Sequence, residues 1–419
     1  MVSAAEATWG IAGLATAGVI LRPAKLPEAV WAVAGAAALL LFGLIPVRVA
    51  WDGVAKGLDV YLFLTGMMLL AEVARREGLF DWLAKLATSF AKGSPTKLFA
   101  LVYGVGVIVT ALLSNDATAV VLTPAVLAAA KAAEVADPLP YALICAFIAN
   151  AASFVLPISN PANLVVFGGG HMPALGDWAA RFLLPSVAAV VVTFIALYLT
   201  QRGALAKDKI KTDVEVGELS KGGKLAAAGI LLTAALLIAA SALDMDLGAP
   251  TAVAGVLTAA ASLVVRREGP WPLVKEVSWG VLPLVAGLFV LVEALAHTGL
   301  VADMARELKQ LSEQQPQTAF WGLGALVAVV CNLANNLPVG LMAGAAVQGA
   351  HAPADVTSAI LIGVDLGPNL SVTGSLATIL WLYALRREDL TFSTLRFLKL
   401  GVVVMTPALV AALAAARFL

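Results

Sequence analysis

Apolar residues run in long unbroken stretches along this chain, without the alternation of half-buried strands or the single stripe of surface helices. A bilayer core about 30 Å thick needs about 20 apolar residues per helix. Runs of that kind recur at 8–21, 28–45, 58–74, 181–200, 223–242, 249–265, 280–296 and 396–413. Four further stretches are interrupted. Runs 98–113 and 118–133 flank Ser114, Asn115 and Asp116, and run 139–156 stops at Pro-Ile-Ser-Asn-Pro-Ala-Asn, 157–163. Runs 320–334 and 337–347 flank Asn335 and Asn336, and run 357–364 breaks at Asp-Leu-Gly-Pro-Asn, 365–369. The pattern predicts an all-α polytopic membrane protein with about ten spans plus two helical hairpins, 95–135 and 317–349, and two broken transmembrane helices, 139–170 and 355–386.

The interruptions recur in one order on either side of a polar linker, 201–222: three spans, a hairpin, a broken span, a last span. At a constant offset of 221 positions Glu72 aligns with Glu293, Gly78-Leu79 with Gly299-Leu300, and Asn115 with Asn336. The chain therefore divides into an N-terminal repeat, 1–200, and a C-terminal repeat, 223–419. Amphipathic stretches at 80–92 and 301–311 follow the matched glycines. Each half holds an odd number of crossings, so the two are inverted relative to one another. Inverted repeats with helices broken at equivalent places mark secondary transporters whose site lies at the midplane between the repeats.

Composition agrees: 61% of residues are hydrophobic and 13% charged, against about 25% charged in soluble domains. With 27 Lys+Arg against 27 Asp+Glu there is no basic field for nucleic acid. Placing both termini outside puts every Lys and Arg except Arg48, Lys56, Arg181, Arg306, Lys309 and Arg417 on the inner side, as positive-inside asymmetry requires of a plasma-membrane protein. No phosphate loop, two-His metal motif or Ser-His-Asp order is present, so the chain reads as no enzyme. Gly168-Gly-Gly170 reads as a flexible end to the broken span, and any ATP hydrolysis falls to another chain.

Backbone freed at membrane depth is tolerated only where protein or a water-filled cavity satisfies it, so the breaks are where a substrate belongs. Their candidate binding residues are Ser114, Asn115 and Thr118, then Ser159, Asn160 and Asn163, then Asn335 and Asn336, then Asn369, Ser371 and Thr373. Amides and hydroxyls both donate and accept hydrogen bonds. The breaks contain no Lys or Arg, which favours a small neutral polyhydroxylated solute or a cation over a carboxylate. Asp116 and Asp365 are the carboxylates there. An intramembrane Asp is costly and marks proton or ion pathways, so both are candidates for proton coupling; the plainer role is a cap for Asp116 and a loop tie for Asp365. Glu72 and Glu293 sit near helix ends and are expected to reach the headgroups, and His171, His297 and His351 read as interfacial. Cys145 and Cys331 are too few to capture a soft metal by a thiolate triad; Cys331, one turn before Asn335, offers at most a single sulfur contact.

The segments 113–124, 157–163, Asn335-Asn-Leu-Pro338, 363–369 and Gly374-Ser-Leu-Ala-Thr-Ile-Leu-Trp381 resemble the arsenite/antimonite efflux permeases of the ion transporter superfamily. The resemblance covers nearly the whole chain and is most specific from Asp365 to Thr378. It implies export of trivalent arsenic and antimony, driven by the proton gradient without a cofactor, or in some systems with a soluble ATPase on the inner side. By position it implicates Asn115, Asp116, Ser159, Asn160, Asn335, Asn336, Asp365 and Asn369. Pro161 departs from the family pattern. A sodium-coupled carboxylate transporter or sodium/proton exchanger of the same fold is the competing reading.

Overall fold

The computed structural model describes residues 3–167, 172–211, 215–243 and 245–418; Gly168 to Gly170 and His171 lie outside the described residues. Among the described residues every regular element is helical. The first half runs α1 (Ala4–Leu21), α2 (Glu28–Leu41), α3 (Val47–Lys56), α4 (Leu58–Arg76), α5 (Leu79–Ala91), α6 (Pro95–Leu112), α7 (Asn115–Ala117), α8 (Thr123–Ala132), α9 (Leu139–Ala151), α10 (Pro161–Phe167) and α11 (Leu175–Leu205). The second runs α12 (Lys221–Ala242), α13 (Gly248–Arg266), α14 (Trp271–Glu276), α15 (Val281–His297), α16 (Leu300–Gln314), α17 (Pro316–Ala334), α18 (Asn336–Ala350), α19 (Ala354–Leu366), α20 (Leu376–Arg387) and α21 (Thr394–Arg417).

The halves match in helix order, with α7 and α8 together standing where α18 stands, and the match extends to irregularities. Gly78 and Gly299 adopt φ of 71° and 90° and start the amphipathic helices α5 and α16, a turn that only glycine makes cheaply. The closing helices α11 and α21 each carry an internal proline, Pro185 and Pro407. In the first hairpin Pro124 has no N–H for the Val120 carbonyl, and residues Thr118–Leu122 relax into a π turn that joins α7 to α8.

The halves interlock. α4 packs along α13 and, in the equivalent place, α15 along α2; α11 packs on α21. Small residues allow those close crossings. A Cβ at Gly66 would lie 2.1 Å from the Thr251 carbonyl oxygen, and one at the equivalent Gly287 would lie 2.7 Å from the Ala32 carbonyl carbon. The second half of each broken span docks on the opposite repeat's hairpin, α10 against α18 and α20 against the π turn and α8. This exchange places the breaks of both repeats beside both hairpin tips.

Seven helices are long and apolar enough to cross a membrane, nine if each bent pair is one span, among the described residues. That count includes the hairpin arms α6 and α17 and leaves out three of the ten expected spans: α2, with 14 residues, and the two broken spans, whose parts, such as α9 with 13 residues and α10 with 7, are too short to cross separately. Two further expectations change. α11 continues to Leu205 and α12 begins at Lys221, so the linker is shorter than 201–222. Glu72 and Glu293 do not reach outward alone: Glu72 pairs with Arg75 at 2.6 Å and Glu293 with Lys56 at 2.6 Å. Arg75 also bonds Glu276, and Arg76 bonds Glu268 at 2.9 Å, tying α4 to the segments around α13 and α14.

Gly66→Val should lower the yield of monodisperse protein and its melting temperature, because overpacking costs about 1–3 kcal/mol even where side chains alone must move, and here the obstacle is backbone. Gly104→Val, where a Cβ meets nothing within 4 Å, should leave both near wild type.

Candidate functional site

Both hairpin tips form because Ser and Asn side chains compete with the helix for its backbone. Ser114 Oγ accepts from the Ala117 N–H at 3.3 Å, and at the equivalent place Asn335 Oδ1 accepts from the Leu337 N–H at 3.3 Å. Asn335 holds φ 68° and ψ 149°, a region that glycine normally occupies and that costs about 1–3 kcal/mol elsewhere. The turn is held from the opposite side, where the Asn336 N–H donates to the Gly374 carbonyl at 2.9 Å. At the first tip Asn115 Oδ1 accepts from the Asp116 N–H at 2.9 Å, so the capping role expected of Asp116 is filled by Ser114 and Asn115. No hydrogen bond or ion pair engages the Asp116 carboxyl among the described residues.

The broken spans brace one another across the repeats. Asn150 and Asp365 are the next-to-last residues of two 13-residue helices, α9 and α19. Asn160 Nδ2, at the cap of α10, donates to Asp365 Oδ1 at 2.7 Å. Reciprocally, Asn150 Nδ2 donates to Asn369 Oδ1 at 3.0 Å and to Thr378 Oγ1 at 3.4 Å. Asn150 Oδ1 is buried without a partner among the described residues, and the Asp365 carboxyl also meets the Ser153 side chain. Around this crossing, side chains satisfy the freed backbone. Asn163 Nδ2 donates to the carbonyls of Ser153, Leu156 and Pro157 at 2.9, 3.3 and 3.2 Å. The Trp178 and Trp381 indoles donate to Phe154 and Ala142 carbonyls at 3.1 and 2.7 Å.

Tips and breaks enclose a cleft of about 630 Å³, its mouth included. Four amides face it, Asn115, Asn160, Asn335 and Asn336, together with Asp116. Leu284, Val285 and Leu288 of α15 and Leu64 of α4 form its apolar wall. Long helices begin at the cleft, α18 at Asn336 and α20 at Leu376, and their N-terminal ends favour oxygen lone pairs. The wall also holds Arg22 and Glu28, which form an ion pair. This corrects the expectation of a cation-free lining: the arginine arrives from the α1–α2 turn, not from a break.

The remaining candidates lie behind the wall. Ser114 Oγ is the cap just described, and Thr118 Oγ1 meets Thr110 Oγ1 at 2.8 Å between the hairpin arms. Ser159 Oγ donates to the Ala111 carbonyl at 3.0 Å and ties the break to the hairpin. Asn163 bonds backbone, and Asn369 Nδ2 donates to the Phe147 carbonyl at 2.9 Å. Ser371 Oγ donates to Asn332 Oδ1 at 2.8 Å and Thr373 Oγ1 to the Asn332 carbonyl at 2.9 Å. Asp365 reaches the cleft only through Asn160. Cys331 is fully buried, its sulfur 3.8 Å from the Val364 carbonyl oxygen and outside the cleft wall. Asn150, Thr378, Arg22 and Glu28 escaped the sequence reading; the place of Asn150 one residue from a helix end, matching Asp365, is the signal that would have found it.

Comparison with known proteins follows the same lines. The family model described as citrate transporter matches residues 16–365. Arsenical pump membrane proteins of Escherichia coli K12 and Yersinia enterocolitica are 27% identical to the chain over 414 and 406 residues, covering 95% and 92% of both partners. An uncharacterized transporter of Mycobacterium tuberculosis H37Rv is 27% identical over 400 residues, covering 92% of each. Among solved structures, the Alcanivorax borkumensis YdaH transporter superposes with a TM-score of 0.57 at 14% identity, over 88% of this chain and 86% of that one, a likeness of fold.

Asn160→Ala removes the donor to a buried carboxyl and should lower stability by about 1–3 kcal/mol, read as a drop in melting temperature in detergent. The exchange Asn160→Asp with Asp365→Asn restores a donor and an acceptor across the same gap, and should recover most of that loss.

Proposed function

The chain belongs to the citrate transporter family, and from that premise we propose that it exports trivalent arsenic and antimony hydroxides from the cytoplasm in exchange for protons. It is a multi-pass membrane transporter. The observation that carries the cargo is the cleft wall: four amides, one unengaged carboxyl and a cation already neutralised by its neighbour. Arsenous acid is a neutral trihydroxide at pH 7. Its three hydroxyls match amides, which offer donors and acceptors together, and it asks for no counter-charge. Without a converging set of thiolates binding stays weak enough to release the cargo, as transport requires. The arsenical pump relatives support the arsenic part of that cargo by name.

In this reading Asp116 is the proton carrier. It stands in the wall with no other engagement among the described residues, so on the inner side its carboxylate can accept from a bound hydroxyl after losing its proton there. On the outer side its protonation removes that acceptor and accompanies release, so that proton and cargo occupy the site in turn. Asp365 senses the same cycle through Asn160. The proton gradient is the energy source and no cofactor takes part. Both termini lie outside the cytoplasm in the plasma membrane, with the linker inside. A soluble ATPase would meet that inner face, where Lys211 already pairs with Glu134 at 2.5 Å and Asp208 accepts from the Ala136 N–H at 3.0 Å.

A second reading, sodium-coupled carriage of a carboxylate, draws on the family's description and on the helix N-termini at the cleft. It needs Arg22 free, and Arg22 is paired.

In proteoliposomes of inverted orientation, Asp116→Asn should keep wild-type gel-filtration behaviour while arsenite uptake driven by a pH gradient falls to the protein-free background. Uptake at the wild-type rate would remove Asp116 from the mechanism.

A further inference from the structure

Resting on the cargo just proposed, we infer that the Arg22–Glu28 ion pair sets substrate selectivity: Glu28 cancels the one cation of the cleft wall and thereby excludes carboxylate anions. Charged side chains in the wall are three among the described residues, Arg22, Glu28 and Asp116. Arg22 and Glu28 are withdrawn from bulk water, their side chains 13% and 17% exposed. Arg22 Nε is buried with no acceptor among the described residues, while the guanidinium also meets the Tyr383 side chain.

The turn that presents the pair is built to hold it. Arg22 ends α1 at φ 47°, and Ala24 and Lys25 follow at 56° and 59°, three non-glycine residues in left-handed backbone within four positions. Pro23 and Pro27 stiffen the same turn. Across the repeats, the guanidinium lies 5.6 Å from the centroid of the Tyr383 ring of α20, which fixes its plane. A planar guanidinium in the wall of a cleft that two helix N-termini also line is what a carboxylate would bind in a bidentate manner. Glu28 already pairs with it. The same scaffold thus passes from an anion site to a neutral-solute site through one acidic residue.

The test measures succinate binding to the purified full-length chain, as the rise of its melting temperature with succinate concentration. Glu28→Gln should bind succinate at least about tenfold more tightly than wild type, a charge-assisted hydrogen bond gained. The double variant Arg22→Gln with Glu28→Gln should lose that gain. Glu28→Gln that binds succinate no better than wild type, or a double variant that binds as well as the single one, overturns the inference. Should Glu28→Gln fail to fold, Arg22→Gln carries the test in mirror image: it should gain stabilisation by guanidinium ion, and an unchanged response contradicts the role. The readout involves no metalloid, so its failure leaves the cargo assignment standing, and failure of arsenite flux leaves the selectivity result intact.

Discussion

Everything distinctive about this molecule follows from one constraint: a helix broken at membrane depth frees N–H and C=O groups that water cannot reach, and protein must satisfy them. Two hairpins and two broken spans create such groups in quantity. The chain meets the demand with short amides and hydroxyls placed within a turn of each break. Asn163 alone engages three carbonyls, Asn332 bonds the Ala328 and Gly367 carbonyls, and Asn369 reaches the Phe147 carbonyl. Trp178 completes the task from outside the break by donating to the Phe154 carbonyl, while Trp381 ties α20 to the intact part of α9 at the Ala142 carbonyl; both rings are fully buried.

The same residue types define the site. Asn115, Asn160, Asn335, Asn336 and Asp116 line the cleft, and the first three do so while Oδ1 accepts a backbone N–H of the turn. Asn160 does both, lining the cleft while donating to Asp365. The exchange of broken-span halves between repeats makes this junction mechanical as well as chemical: α10 rests on the second hairpin and α20 on the first, so movement of either hairpin is felt at the opposite break. An alternating-access cycle needs a coupling of that kind between site and scaffold.

The tips and breaks were legible in the sequence because Asn, Asp and Pro within a long apolar run demand an explanation, and the shared offset of Gly78 with Gly299 and Asn115 with Asn336 paired the halves. Partnership across the repeats was not legible. Asn150 is a single amide in the run 139–156, and nothing short of the helix end shows that it mirrors Asp365. Hydroxyls misled in the other direction: Ser371 and Thr373 sit at a break, yet both serve Asn332. Arg22 and Glu28 were hidden by orientation counting, which assigns every charge near a span end to water. Pro23 and Pro27 around them were the sign that this turn folds back onto the protein.

The most direct test of the account is solute flux in proteoliposomes under an imposed pH gradient, an imposed sodium gradient, or neither, with arsenite and citrate as parallel substrates. Proton-coupled metalloid export requires arsenite movement that follows the pH gradient, ignores sodium and is not accompanied by citrate. Sodium-driven citrate movement without arsenite flux would contradict it, leaving the interlocked fold in place and assigning the cleft to carboxylates.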